Sequence, residues 1–183
     1  EYHTASDFLV DGLKMSVSAS TDDGANNAAT YGIDDHMAIG ATYVTDMGDS
    51  AVTIGMGYSA TEGAKTGTQM TNDEGGIHFG ISAVTGDLTV AVAFADGDSI
   101  EQTNTVQSDS DYMAAGVKYV SGDLTFNVGM SSGTSKDSMT IGTAGTTEDS
   151  EDTTSASVSY AVASGVTAIL GFSNTDAEDE GAA

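Results

Sequence analysis

Residues Met113 to Ser132 read MAAGVKYVSGDLTFNVGMSS. Met113, Ala115, Val117 and Tyr119 alternate with Ala114, Gly116 and Lys118 up to a Gly122-Asp123 dipeptide. Beyond it Leu124, Phe126, Val128 and Met130 alternate with Thr125, Asn127 and Gly129. Alternation with period two is the pattern of a strand with one apolar and one polar face. A Gly-Asp dipeptide between two such runs is a hairpin turn. The stretch is therefore one β-hairpin, and the rest of the chain repeats it.

The ascending half recurs as LKMSVSAS from Leu13, VTIGMGYS from Val52, LTVAVAFA from Leu88 and VTAILGFS from Val166. Each run follows a turn glycine: Gly12, Gly48, Gly86, Gly122 or Gly165. Those glycines are 36, 38, 36 and 43 residues apart, a spacing that marks a repeated supersecondary unit. About ten strands are expected, over 2–10, 13–20, 34–45, 50–60, 75–84, 88–95, 111–120, 124–132, 153–162 and 166–174. The connections alternate between turns of two to four residues and longer polar segments, 21–33, 61–74, 96–110, 133–152 and 175–183. An all-β, antiparallel up-and-down meander follows. Short turns at one end and long loops at the other suit a membrane barrel wall.

Composition narrows the function. Gly supplies 23 of 183 residues, Pro, Cys and Trp are absent, and aromatics make up 7%. With 28 acidic residues against 4 basic ones the net charge is −24. A nucleic-acid partner is excluded, because a phosphate backbone needs Lys and Arg to neutralise it. The acid excess fits a high-salt, marine setting, where screening weakens repulsion between carboxylates. Without cysteine there is no disulfide framework or thiolate site. Residues 1–10 do not form a signal peptide. No run reaches the roughly 18 apolar residues of a membrane helix, as expected if strands do the spanning.

The two faces differ in kind. On the apolar face, Tyr43, Tyr119 and Tyr160 close descending strands beside the short turns. Tyr58, Phe94 and Phe172 close ascending strands beside the loops. These six form two rings, like the aromatic girdles at the two interfaces of a membrane barrel. The other face is Ser, Gly, Thr and Ala with a few larger polar residues, which suits a crowded or water-filled lumen. Expected pore-lining residues are Lys14, Ser16, Ser18, Thr42, Thr53, His78, Lys118, Asn127, Ser157 and Thr167. Lys14 and Lys118 are the strand-borne cations; Lys65 and Lys136 are expected in loops.

This pattern resembles a general bacterial outer-membrane porin of the alphaproteobacterial, Rhodobacter-type family. The resemblance rests on Tyr119–Ser131 (YVSGDLTFNVGMS) and Tyr160–Ser173 (YAVASGVTAILGFS). It also rests on the opening Tyr2-His3-Thr4-Ala5-Ser6-Asp7-Phe8 followed by Gly12-Leu13-Lys14-Met15-Ser16-Val17. It implies a 16-stranded transmembrane barrel, homotrimeric, in a Gram-negative outer membrane among lipid and lipopolysaccharide. On that reading residues 1–183 are one partial barrel, an internal or C-terminal fragment that lacks the N-terminal strands, the constriction loop and the closing C-terminal strand. The implied function is passive diffusion of small hydrophilic solutes and ions. Acidic segments at the mouth, with Asp34 and Asp35, would favour cations.

Nothing points to catalysis. His3, His36 and His78 lack metal-ligand spacing, there is no Gly-x-Ser-x-Gly elbow, and no cofactor is expected. The acidic clusters Asp109 with Asp111, and Glu148, Asp149, Glu151 and Asp152, could offer oxygen ligands to Ca²⁺. The alternative reading is a secreted, acidic β-rich surface protein or adhesin with calcium-binding loops. Its apolar face would be buried against a second sheet, where a porin's would meet lipid.

Overall fold

The computed structural model describes residues 2–5, 9–21, 33–63, 65–66, 69–70, 73–101, 106–138 and 147–179. Its elements are β1 (Tyr2–His3), β2 (Leu13–Thr21), β3 (Ile33–Met47), β4 (Ser50–Gly63), β5 (Lys65–Thr66) and β6 (Gln69–Met70). They continue with β7 (Asp73–Thr85), β8 (Leu88–Glu101), β9 (Val106–Ser121), β10 (Leu124–Ser138), β11 (Thr147–Ala163) and β12 (Val166–Asp179). Ten of them form one antiparallel sheet in the order β1-β2-β3-β4-β7-β8-β9-β10-β11-β12. β5 and β6 form a separate two-stranded ribbon. The sheet is open, with β1 and β12 at its edges; it is the expected meander and not a closed barrel.

The turns fall where the glycines place them. Gly12, Gly48, Gly86, Gly122 and Gly165 all have positive φ, between 55° and 81°. An L side chain disfavours that conformation and glycine adopts it freely. Gly12 is also sterically required: a Cβ there would run into the Val44 carbonyl oxygen. The Val44 amide in turn donates to the Gly12 carbonyl at 2.9 Å, which ties this turn to β3.

The strands are longer than the alternation of apolar residues suggests. β8 runs on to Glu101, β10 to Ser138 and β12 to Asp179, while β9 starts at Val106 and β11 at Thr147. The expected loops 96–110, 133–152 and 175–183 are therefore largely strand. Asp109, Asp111, Glu148, Asp149, Glu151 and Asp152 lie in β9 and β11, not in loops. Lys65 and Lys136 also sit in strands, β5 and β10. Backbone hydrogen bonding continues where the apolar pattern has ended, because the ladder needs no apolar side chains. The first strand is shorter than expected: β1 is Tyr2–His3, residues 9–12 form a bend and turn, and residues 6–8 lie outside the described residues.

The fold is a single layer. Among the described residues no apolar side chain is buried. Met56, Ile77, Val92, Val128 and Phe172 are 54%, 52%, 45%, 57% and 64% exposed, and no second sheet covers them. A sandwich would bury this face.

The register carries the geometry that decides what such a face is for. The ladder row through Tyr43 on β3 passes Ile54, Ile81 and Val92 and reaches Ala115 on β9, four strand steps away and four residues short of Tyr119. From Tyr119 the row passes Phe126 to Val158 on β11, two steps away and two residues short of Tyr160. The other ring behaves alike. Tyr58 leads through Ile77 to Asp96, two steps away and two residues beyond Phe94. Phe94 leads through Met113, Ser132 and Asp152 to Asp176, four steps away and four residues beyond Phe172. Both rings slip one residue per strand in the same direction. One residue is about 3.4 Å and one strand step about 4.8 Å, so a line through each ring implies strands tilted by about 35°. Transmembrane barrels tilt their strands by roughly 35–45°.

Candidate pore wall

All ten expected pore-lining residues share the polar face. Lys14 pairs with Thr42 and Ser16 with Gly40, Ser18 with Ala38, Thr53 with Val44 and Ser82, and His78 with Gly57 and Ala95. Lys118, Asn127 and Ser157 occupy one row, and Thr167 faces Ala161. Asn127 donates through Nδ2 to Ser157 Oγ at 3.2 Å. The six ring aromatics share the opposite face.

Small residues let larger ones lie flat on this wall. One row runs His3, Ser16, Gly40, Gly57, His78, Ala95, Tyr112, Gly133. The His78 ring lies over Gly57, in space a Cβ there would occupy. A Cβ at Gly133 would lie 3.4 Å from Cδ2 of Tyr112. A side chain covering a neighbouring strand glycine is a known device for pinning register. The result is a trough of about 710 Å³ whose lining includes His3, Lys14, Ser16, Thr42, His78 and Tyr112. Tyr112 went unnoticed in the sequence, although its parity, opposite to Met113, was there to read.

Charge is sorted along the strands. Lys14 and Lys118 are exposed and stand on β2 and β9, five strand steps apart, with Lys118 four residues beyond the row through Lys14, so they do not form one cluster. Toward the loop ends, Glu74, Asp137, Asp149, Glu151 and Asp179 fall on the polar face by register. A recess of about 490 Å³ includes Tyr112, Asp149, Glu151 and Asp179 in its lining. Ser108 Oγ donates to Asp137 Oδ1. Asp35 stands on the apolar-face side, opposite Glu62; the Asp34 side chain lies outside the described residues.

The expected calcium ligands are not brought together. Within Glu148–Asp152 the alternation sends Asp149 and Glu151 to the polar face and Glu148 and Asp152 to the other. Glu148 is taken by Lys136, at 3.4 Å. Asp109 and Asp111 face Asp98 and Asp96 across the ladder. Asp109 accepts from Gln107 Nε2 at 3.0 Å and Asp111 from Thr134 Oγ1. Among the described residues no group of three or more His, Asp or Glu is arranged to hold a metal ion.

Residues 3–180 match the sequence profile of the Gram-negative porins. The chain belongs to that family. Its fold is similar to that of OmpT, an outer membrane protein of Vibrio cholerae, in vitro folded and in its trimer form, with a TM-score of 0.58 at 14% identity. The likeness covers 91% of this chain and 54% of the Vibrio protein, so this porin chain spans about half of that neighbour's length. No curated protein is similar enough to count as a relative. Family membership makes the outer membrane its location; neither comparison distinguishes the alphaproteobacterial branch.

Proposed function

We propose that this sheet is part of the wall of a water-filled outer-membrane channel for passive diffusion of small hydrophilic solutes and ions. The observation that carries the reading is the one-residue slip of both aromatic rings per strand. Set at the tilt of a membrane barrel, the rings lie at two constant heights, with Ile54, Met56, Phe79, Ile81 and Val92 between them. The uncovered apolar face then meets lipid, and the Ser, Gly, Thr and Ala face meets water. A channel of this kind is closed by further strands to about 16 in all and assembles as a trimer, as the resemblance implies. No covalent step is involved.

Selectivity follows from the charge placement. Carboxylates at the loop ends give the mouth a negative potential that concentrates cations. Lys14 and Lys118 lie deeper on the wall and oppose that preference locally. A liposome-swelling assay tests the reading. Uncharged sugars should enter at rates set by size and without saturation. Rates that saturate, or that ignore size, would refute it.

A further inference from the structure

The trough on the polar wall has a cation at one side and a ring at the other. Lys14 heads a row that continues through Thr42, Gly55, Gly80 and Ala93. His78 stands two residues from Gly80 on β7, and its ring reaches back over Gly57 on β4. Lys14 and His78 both line the trough, as do Gly40, Thr42 and Gly55 between them. In the register Lys14 and Gly57 are two strand steps and two residues apart, about 12 Å along the sheet. Gly40 and Gly55 make the floor of that gap. A Cβ at Gly55 would stand in open space, with Thr42 Oγ1 nearest at 4.0 Å.

The register sets no carboxylate across β3 from Lys14. Thr42 faces it, with Gly40 and Val44 two residues to either side. Among the described residues of the strands that floor the trough, two polar-face carboxylates come nearest. They are Asp46, four residues from Thr42 on β3, and Glu74, six residues from Gly80 on β7. Those offsets are about 14 Å and about 20 Å, beyond the screening length of about 8 Å at physiological salt. The acid at the two ends of the wall therefore leaves the ammonium its sign. By contrast, Lys136 is committed to Glu148 at 3.4 Å, and Lys118 is not among the residues lining the trough.

We propose that this trough binds an aryl carboxylate, its carboxylate at Lys14 Nζ and Thr42 Oγ1 and its ring flat on the Gly40–Gly55 floor beside the His78 imidazole. The proposal rests on the polar face being the lumen side of a channel wall, and it names a solute class that such a wall retains as well as passes. The charge-assisted hydrogen bond from Lys14 sets the sign of the ligand. A floor without Cβ atoms lets a flat ring approach the backbone closely. A few placed polar groups beside apolar surface are the make-up of a small-molecule site. A neutral aromatic solute keeps the floor and loses the ammonium; an aliphatic acid keeps the ammonium and loses the flat contact.

The test is a fluorine NMR titration of the protein, folded in a zwitterionic detergent, with para-fluorohydrocinnamate, against detergent alone as the baseline. Binding should saturate, and should be about fivefold tighter than that of the corresponding alcohol, the scale of an exposed charge pair. Lys14→Gln should remove that preference. Lys118→Gln, which makes the same change in net charge, should leave it intact. Both lysines are exposed, so neither variant puts folding at risk. Gly55→Val, a residue suited to a strand, fills the floor and should weaken acid and alcohol alike by several-fold. Equal affinity for acid and alcohol, signal no greater than the detergent baseline, or equal losses in the two lysine variants overturns the proposal. A protein that opens channels in planar bilayers without binding the acid refutes this inference alone. One that opens none refutes the channel-wall reading as well.

Discussion

At the residue scale, the glycines carry most of what holds the pattern in place. The five turn glycines were legible because each ends an alternating run beside Asp or Ser, and all five have positive φ. Their sequence contexts do not reveal that they differ in cost. A Cβ at Gly48, Gly86, Gly122 or Gly165 meets nothing within 4 Å, whereas one at Gly12 meets the Val44 carbonyl. Gly122→Ala should therefore cost only the backbone strain of about 1–2 kcal/mol. Gly12→Ala should cost clearly more, because a backbone carbonyl cannot rotate aside. Urea unfolding of the two variants, followed by tryptic resistance of the folded form, checks the order. On the polar wall, Lys14→Gln and Lys118→Gln should each raise the cation-to-anion permeability ratio by about twofold, the scale of a screened, exposed charge. Ratios that stay constant would remove both lysines from the lumen.

At the element scale, hydrophobic patterning and hydrogen bonding part company. Alternation located nine of the ten strands of the main sheet, all but β1, because an interior position on one face differs in polarity from its neighbours on the other. It stopped at Phe94 on β8 and at Phe172 on β12, yet both strands continue in register to Glu101 and Asp179. The sequence pattern follows the surroundings of the side chains, and those change from apolar to aqueous partway up each strand. For the same reason the acidic runs read as loops and as a calcium cluster. Within Glu148–Asp152 the consecutive carboxylates point to opposite faces and do not converge. The two faces make a sharp prediction on β8. Val92→Lys places a charge on the apolar face between the rings and should destabilise the membrane-inserted fold by about 2–4 kcal/mol. Ala91→Lys, one residue away on the polar face, should cost little. Equal effects in a bilayer unfolding titration would contradict the assignment of faces.

At the scale of the whole molecule, a one-layer sheet exposes its apolar face among the described residues, and on the proposed channel wall that face meets lipid. The meander was readable from local signals, since each hairpin announces itself within some twenty residues. Barrel closure was not, because it depends on what pairs with the edges at β1 and β12, and no local pattern encodes that. Tilt became visible only once the register was known. The two rings then gave about 35° from the ladder alone. Polarised infrared spectra of oriented bilayers should return a strand tilt in the roughly 35–45° range of membrane barrels. Strands lying flat on the bilayer would not be compatible with the rings.

The most direct test of the channel is planar-bilayer conductance of the protein across a potassium chloride gradient. The account predicts stepwise openings, a current linear in voltage, and a reversal potential of the sign that marks cation preference. A protein that stays soluble without detergent and leaves the bilayer silent would contradict it.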